Sequence, residues 1–228
     1  MGHVIMASSA PFFWSWASDA MNSRLLKLIA IGYFHEADAQ NFFRMHLLPK
    51  YDGSLPEGSL SDDVWNTVYE VTGGSPYLLK AVASDAVELG SWKDATQAMV
   101  SSISQDLRHT FLNLSPKCDM TYLEGIIGAI VDSGGHVAFD KVIDYVFAGD
   151  ELTAREKIEM LAEKNVIHTR LWTQGLKYMD VADRQEDDSL FIMAADPAHY
   201  AAMKELYPAW FATVQLTTGK KKNEYRWD

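Results

Sequence analysis

The run Gly73-Gly74-Ser75-Pro76, with Lys80 close behind, carries the strongest chemical signal in the sequence. Two glycines without Cβ atoms let a backbone approach a ligand closely, and a proline fixes φ where a helix begins. Lys80 stands one helical turn beyond Pro76 and puts an ammonium group within reach of an anionic partner. The same four residues also serve as a tight turn between two helices with no ligand involved. Ser8 and Ser9 close a short apolar run, Val4 to Ala7. In open α/β sheets ligands bind beyond the carboxyl ends of strands, where a hydroxyl can donate to a phosphate oxygen. Ser9, just ahead of Pro11, is also a good helix N-cap. Arg24 precedes a second apolar run. A guanidinium there either neutralises charge on a transferring phosphoryl group or stands at the surface.

Other chemistries lack their residues. Seven histidines (His3, His35, His46, His109, His136, His168, His199) show no Cys/His or His-x-x-x-His spacing, so no metal site is expected. The single cysteine, Cys118, cannot form an internal disulfide and suits a reducing, intracellular setting. Neither a Gly-x-Ser-x-Gly nucleophile elbow nor a Gly-x-x-x-x-Gly-Lys-Ser/Thr phosphate loop is present. The formal charge of -11 opposes broad affinity for nucleic acid or anionic membrane. No apolar run approaches the about 18 residues of a membrane span. At 48% hydrophobic residues, the 228-residue chain can fill one large core or two small ones.

The elements that must position these residues are mostly helical. Residues 4–8 and 25–31 read as buried parallel strands, with a helix over 11–22 crossing between them. Such a βαβ unit leaves strand edges that expect further partners. Helices are expected over 36–48 and from Ser61 to the Gly73-Gly74 stop, with Ser61 as cap and Asp62 and Asp63 in the first turn. Two more follow, one from Pro76 and one over 91–112. Beyond Ser115-Pro116 come helices over 122–131, 139–146 and 153–164, the last capped by Thr153. Strand-like runs over 166–172 and 190–193, then a final helix from Pro197 through Leu206, complete the order.

These pieces together resemble the post-catalytic half of AAA+ and STAND-type P-loop ATPases. The match rests chiefly on residues 3–90, and beyond residue 115 on element order alone. The resemblance implies an α/β, helix-rich fold: a partial parallel sheet over 1–34, a helical lid over 35–114, a winged-helix-like domain over 115–210 and a polar tail over 211–228. It implies that Ser9 acts as sensor 1 and Arg24 as an arginine finger. Ser8, Gly73, Gly74, Pro76 and Lys80 would contact ATP or ADP, bound with Mg2+ in the parent protein. Lys80 would take the sensor-2 place usually held by arginine, without the bidentate fork. Lacking Walker A and B residues, the chain alone is not expected to hydrolyse ATP, and its partner would be a missing N-terminal ATPase half or an oligomeric neighbour.

Where a winged-helix reader presents basic residues to DNA, this chain alternates Arg155, Lys157 and Lys164 with Glu151, Glu156, Glu159 and Glu163. The segment between the last two strands adds Asp180, Asp183, Glu186, Asp187 and Asp188. Phosphate contact needs a basic face, so the expected partner of this part is a protein. The alternative to nucleotide sensing is a nucleotide-independent interaction module on the same scaffold.

Overall fold

The computed structural model describes residues 33–51, 53–59, 61–114, 119–171 and 190–218. The strands expected at 4–8 and 25–31, and with them Ser8, Ser9 and Arg24, lie outside the described residues. What is described is helix-rich: eight α-helices and one three-stranded antiparallel sheet.

The first helical stretch begins as α1 (Glu36–Phe42), widens to a π-helical turn (Phe43–Leu47) and tightens to a 3-10 turn (Leu48–Tyr51). After a loop, α2 (Asp62–Thr72) starts where Ser61 Oγ accepts a hydrogen bond from Val64 N at 3.2 Å. Asp62 and Asp63 occupy its first turn, where negative charge is favoured by the helix dipole. Gly73, at φ 51°, ends it in the left-handed region. Ser75 and Pro76 then open α3 (Pro76–Leu89), and Ser91 Oγ accepts from Asp94 N to open α4 (Trp92–Leu114). These helices enclose a small core in which Phe43 contacts both Trp65 and Trp92, at ring-centroid distances of 5.5 and 5.3 Å.

The second half begins with α5 (Met120–Asp132), capped by Asp119, and turns at Gly134-Gly135 into β1 (His136–Ala138). Then come α6 (Phe139–Val146), α7 (Glu151–Glu163), β2 (Ile167–Leu171) and β3 (Leu190–Ala194). β3 is central, pairing antiparallel with β1 (Val137 opposite Ile192) and with β2 (Thr169 opposite Ile192). The last helix, α8 (Pro197–Thr218), lies against α2, α4 and α5.

Three details depart from the sequence reading. β1 is a strand of three residues, too short to show alternation, and its pairing partner lies 55 positions away in sequence (Val137 with Ile192). α7 starts at Glu151, because Asp150 takes the cap: its Oδ1 accepts from Thr153 N at 3.1 Å, which places Thr153 inside the first turn. α8 does not stop at Leu206 but continues through Pro208 to Thr218, over part of the stretch read as a polar tail. Proline has no N–H, so the carbonyl four residues earlier loses its intrahelical partner at that point.

The larger core crosses the expected boundary near residue 115. Val71, Leu78, Val100, Leu107 and Phe111 from α2 to α4 join Ile126, Ile130, Ile158, Ile192 and Leu206 in one apolar cluster. The helical part and the strand-bearing part are therefore packed against each other through α8.

Candidate functional site

The Gly73–Pro76 turn connects α2 to α3 and its backbone is buried from Thr72 to Ser75. Thr72 Oγ1 donates to Val68 O at 2.9 Å, Ser75 N donates to Thr72 O at 2.9 Å, and Ser75 Oγ accepts from Leu78 N at 3.4 Å. The glycines are needed on two counts. Gly73 at φ 51° and Gly74 at φ 81° sit in the region that L side chains rarely adopt. A Cβ on Gly73 would overlap Pro197 Cγ, and one on Gly74 would overlap the Phe34 carbonyl oxygen. Phe34 N also donates to Gly74 O at 3.1 Å. The close approach that two glycines permit is thus made to the chain's own Pro197 and Phe34.

The other residues of the motif face outward. Pro76, Tyr77 and Lys80 are exposed along the first turns of α3, Tyr77 at 78% of its full area. Among the described residues Lys80 forms no ion pair. The turn therefore splits: Gly73 and Gly74 tie three segments of the fold together, while Pro76 and Lys80 stay exposed. Ser8, Ser9 and Arg24, expected to share that ligand, lie outside the described residues.

Next to the turn is a group of ionisable side chains that the sequence reading did not single out. Asp196 caps α8 immediately before Pro197; its Oδ1 accepts from His199 N at 2.8 Å and lies 2.9 Å from His199 Nδ1. That second contact is an ion pair only when the imidazole is protonated. Burial works against the charge on Asp196, but His199 and the N–H groups of His199 and Ala198 outweigh it and hold the carboxyl below its ordinary range. His168 on β2 is pushed down to about 4 by burial first and by Arg170 second. Burial, with Asp196 adding to it, raises Tyr33. The sequence signal for this group was Asp196-Pro197, legible as a helix start; that β2 would bring His168 and Arg170 beside it depends on sheet pairing.

The α7 surface mixes both signs of charge. Arg155 Nη2 lies 2.7 Å from Glu151 Oε1 and its guanidinium stands 5.0 Å from the Phe139 ring centroid, while Lys157 Nζ lies 2.7 Å from Glu156 Oε1. Two of the three basic residues there are already paired within the helix. Among the described residues, no group of three or more His, Cys, Asp or Glu side chains could hold a metal ion, and no helix is long and apolar enough to cross a membrane. Comparison of the chain with protein-family models, curated proteins and solved structures gives no match.

Proposed function

We propose that the chain is the nucleotide-responsive, regulatory portion of an AAA+/STAND-type ATPase, without hydrolytic activity of its own. The single observation that carries this reading is the disposition of the Gly-Gly-Ser-Pro turn. It joins two lid-like helices, leaves Pro76 and Lys80 exposed, and touches the first residue of α8 through Gly73. The order α5-β1-α6-α7-β2-β3, with β3 between the other two strands, supports a winged-helix reading of the second half. In this reading the parallel sheet of residues 4–8 and 25–31 completes the nucleotide site, with Ser8, Ser9 and Arg24 facing phosphate.

The described residues fit part of such a ligand. Pro76 and Tyr77 offer apolar surface to an adenine, and Lys80 a cation to a phosphate. The Gly73 and Gly74 backbone does not cradle phosphate, because Phe34 and Pro197 fill that space. Phosphate would depend on Lys80 and on groups supplied from elsewhere, including Mg2+ in the parent protein.

A second reading draws on that same filled space: a nucleotide-independent interaction module in which the glycines serve packing alone. Its protein partner would meet the α6–α7 side, where Tyr145 and Leu152 are 52% and 83% exposed among acidic residues. Calorimetric titration of the full chain with ADP and with ATP plus Mg2+ separates the two. Binding that weakens at least tenfold in Lys80→Ala supports the nucleotide reading. Absence of binding at millimolar nucleotide gives the interaction module the higher rank.

A further inference from the structure

Glu124 lies in the second turn of α5, a helix that packs against both α6 and α8. The next residue, Gly125, has no room for a Cβ: it would meet Val146 Cγ1 of α6 at 2.7 Å. One turn on, a Cβ at Gly128 would meet the Tyr207 hydroxyl of α8 at 2.8 Å. Tyr207 Oη in turn hydrogen-bonds Asp132 Oδ2 at 3.2 Å. Tyr122, two residues before Glu124, stacks on Phe147 just beyond α6, with ring centroids 4.7 Å apart. α5 is thus gripped from two sides by close contacts at glycines, and Glu124 stands immediately before the first of them, one turn ahead of the second. Its Oε2 is buried and has no hydrogen-bond partner among the described residues. That oxygen of the half-buried side chain has no donor among the described residues to stabilise a charge on it, whereas a protonated carboxyl needs much less.

We propose that Glu124 is a proton-dependent latch for the α5–α6–α8 seam, closed while its carboxyl is protonated and loosened when the carboxyl ionises. The surroundings set its midpoint where cells can use it. Burial first, and the like charge of Asp119 second, push the carboxyl up to about 7. Asp119 stays ionised beneath it, because the Thr121 N–H and hydroxyl bond to its carboxylate. No cation among the described residues acts on Glu124 to offset these effects. On α6, Asp140, Lys141 and Asp144 are solvent-exposed and none of them acts on Glu124. On α8, Lys204 is paired with Glu70, and Glu205 accepts from Gln97, so both point to the opposite side. His136 on β1 is held below its ordinary value by burial and supplies no charge near neutrality.

The sign follows from linkage. A carboxyl whose folded midpoint is raised binds its proton more tightly when the seam is closed than when it is open, so closure is favoured at low pH and lost as pH rises through about 7. If the open seam lets Glu124 titrate normally, the opening constant rises about tenfold between pH 6 and pH 8.

Hydrogen exchange of the full chain, corrected for intrinsic rates, reads this directly over residues 120–132 and 197–207. The expected result is about a tenfold loss of protection from pH 6 to pH 8 in the native chain, and none in Glu124→Gln, which keeps the shape and cannot ionise. Equal protection at both pH values, or the same loss in Glu124→Gln, overturns the proposal. A carbon-detected NMR titration of the Glu124 carboxyl in the unsubstituted chain is independent of any variant's folding. A midpoint near 7 supports the latch, and one in the ordinary glutamate range overturns it.

Discussion

Gly73 shows how much a single missing Cβ can decide. The position combines a left-handed backbone with direct contact on Pro197, the first residue of α8. Gly73→Ala must bear both the αL strain and the overlap with the proline ring, together roughly 2–4 kcal/mol of lost stability. Gly134 is the control within the same molecule: its φ is 77°, but a Cβ there would find nothing within 4 Å. Gly134→Ala should therefore lose only the backbone component, about 1 kcal/mol. Urea unfolding of the two variants checks the difference. Equal losses would mean that the Pro197 contact adds nothing, and that the glycines serve the turn alone. A milder test of the same junction is Asp196→Ala, which removes the α8 cap and should cost about 1 kcal/mol.

At the level of elements, α8 is the piece on which both halves depend. Its buried Met203 and Leu206 belong to the core that also holds Val71, Val100 and Leu107 from the first half. Leu206→Ala should cost about 2–5 kcal/mol and should lower the melting of both halves together. Trp65 and Trp92 fluorescence would report the first half, and hydrogen exchange of β3 the second. Two separate transitions would show that the halves are energetically independent despite the shared cluster. This dependence was only partly legible in the sequence. The caps at Ser61 and Ser75, and the stops at Gly73-Gly74 and Gly134-Gly135, are local signals, and most helix ends fall within a few residues of where those signals put them. The strands at 167–171 and 190–194 were legible as apolar runs. β1 was not, since three residues carry no period and its partner is remote. Nor was the run of α8 through Pro208, where local propensity predicts a break and the helix continues. For the candidate site, the sequence marked the turn but not what fills it. That Phe34 and Pro197 occupy the glycine space follows from tertiary contact, to which spacing along the chain is blind.

For the molecule as a whole, two half-buried groups pull its pH dependence in opposite directions. His168 is displaced from an ordinary 6.5 to about 4, so the unfolded chain takes its proton first and stability rises with pH across that window. Glu124 is displaced from an ordinary 4.5 to about 7, so the folded chain holds its proton longer and stability falls across its window. The two displacements are equal in size and overlap from pH 4.5 to 6.5, where they largely offset each other. Below that overlap the unfolded chain already holds the His168 proton and the folded chain takes it up only near pH 4. The carboxylates of Asp196, Asp119 and Asp150, all held low, then lose their favourable contacts as well. Above the overlap only Glu124 continues to act. Its side chain is partly solvated, so the loss between pH 6.5 and 8 is screened to about 1 kcal/mol or less. A net charge of -11 adds general repulsion in the same direction. The expected profile of urea-unfolding stability is a steep rise up to about pH 4.5, a plateau to about 6.5 and a shallow decline to 8. Glu124→Gln should remove most of the decline and let stability climb through the former plateau, and His168→Asn should turn that plateau into a continuous fall. A decline that persists unchanged in Glu124→Gln would assign it to net charge instead, which raising the salt concentration would then suppress.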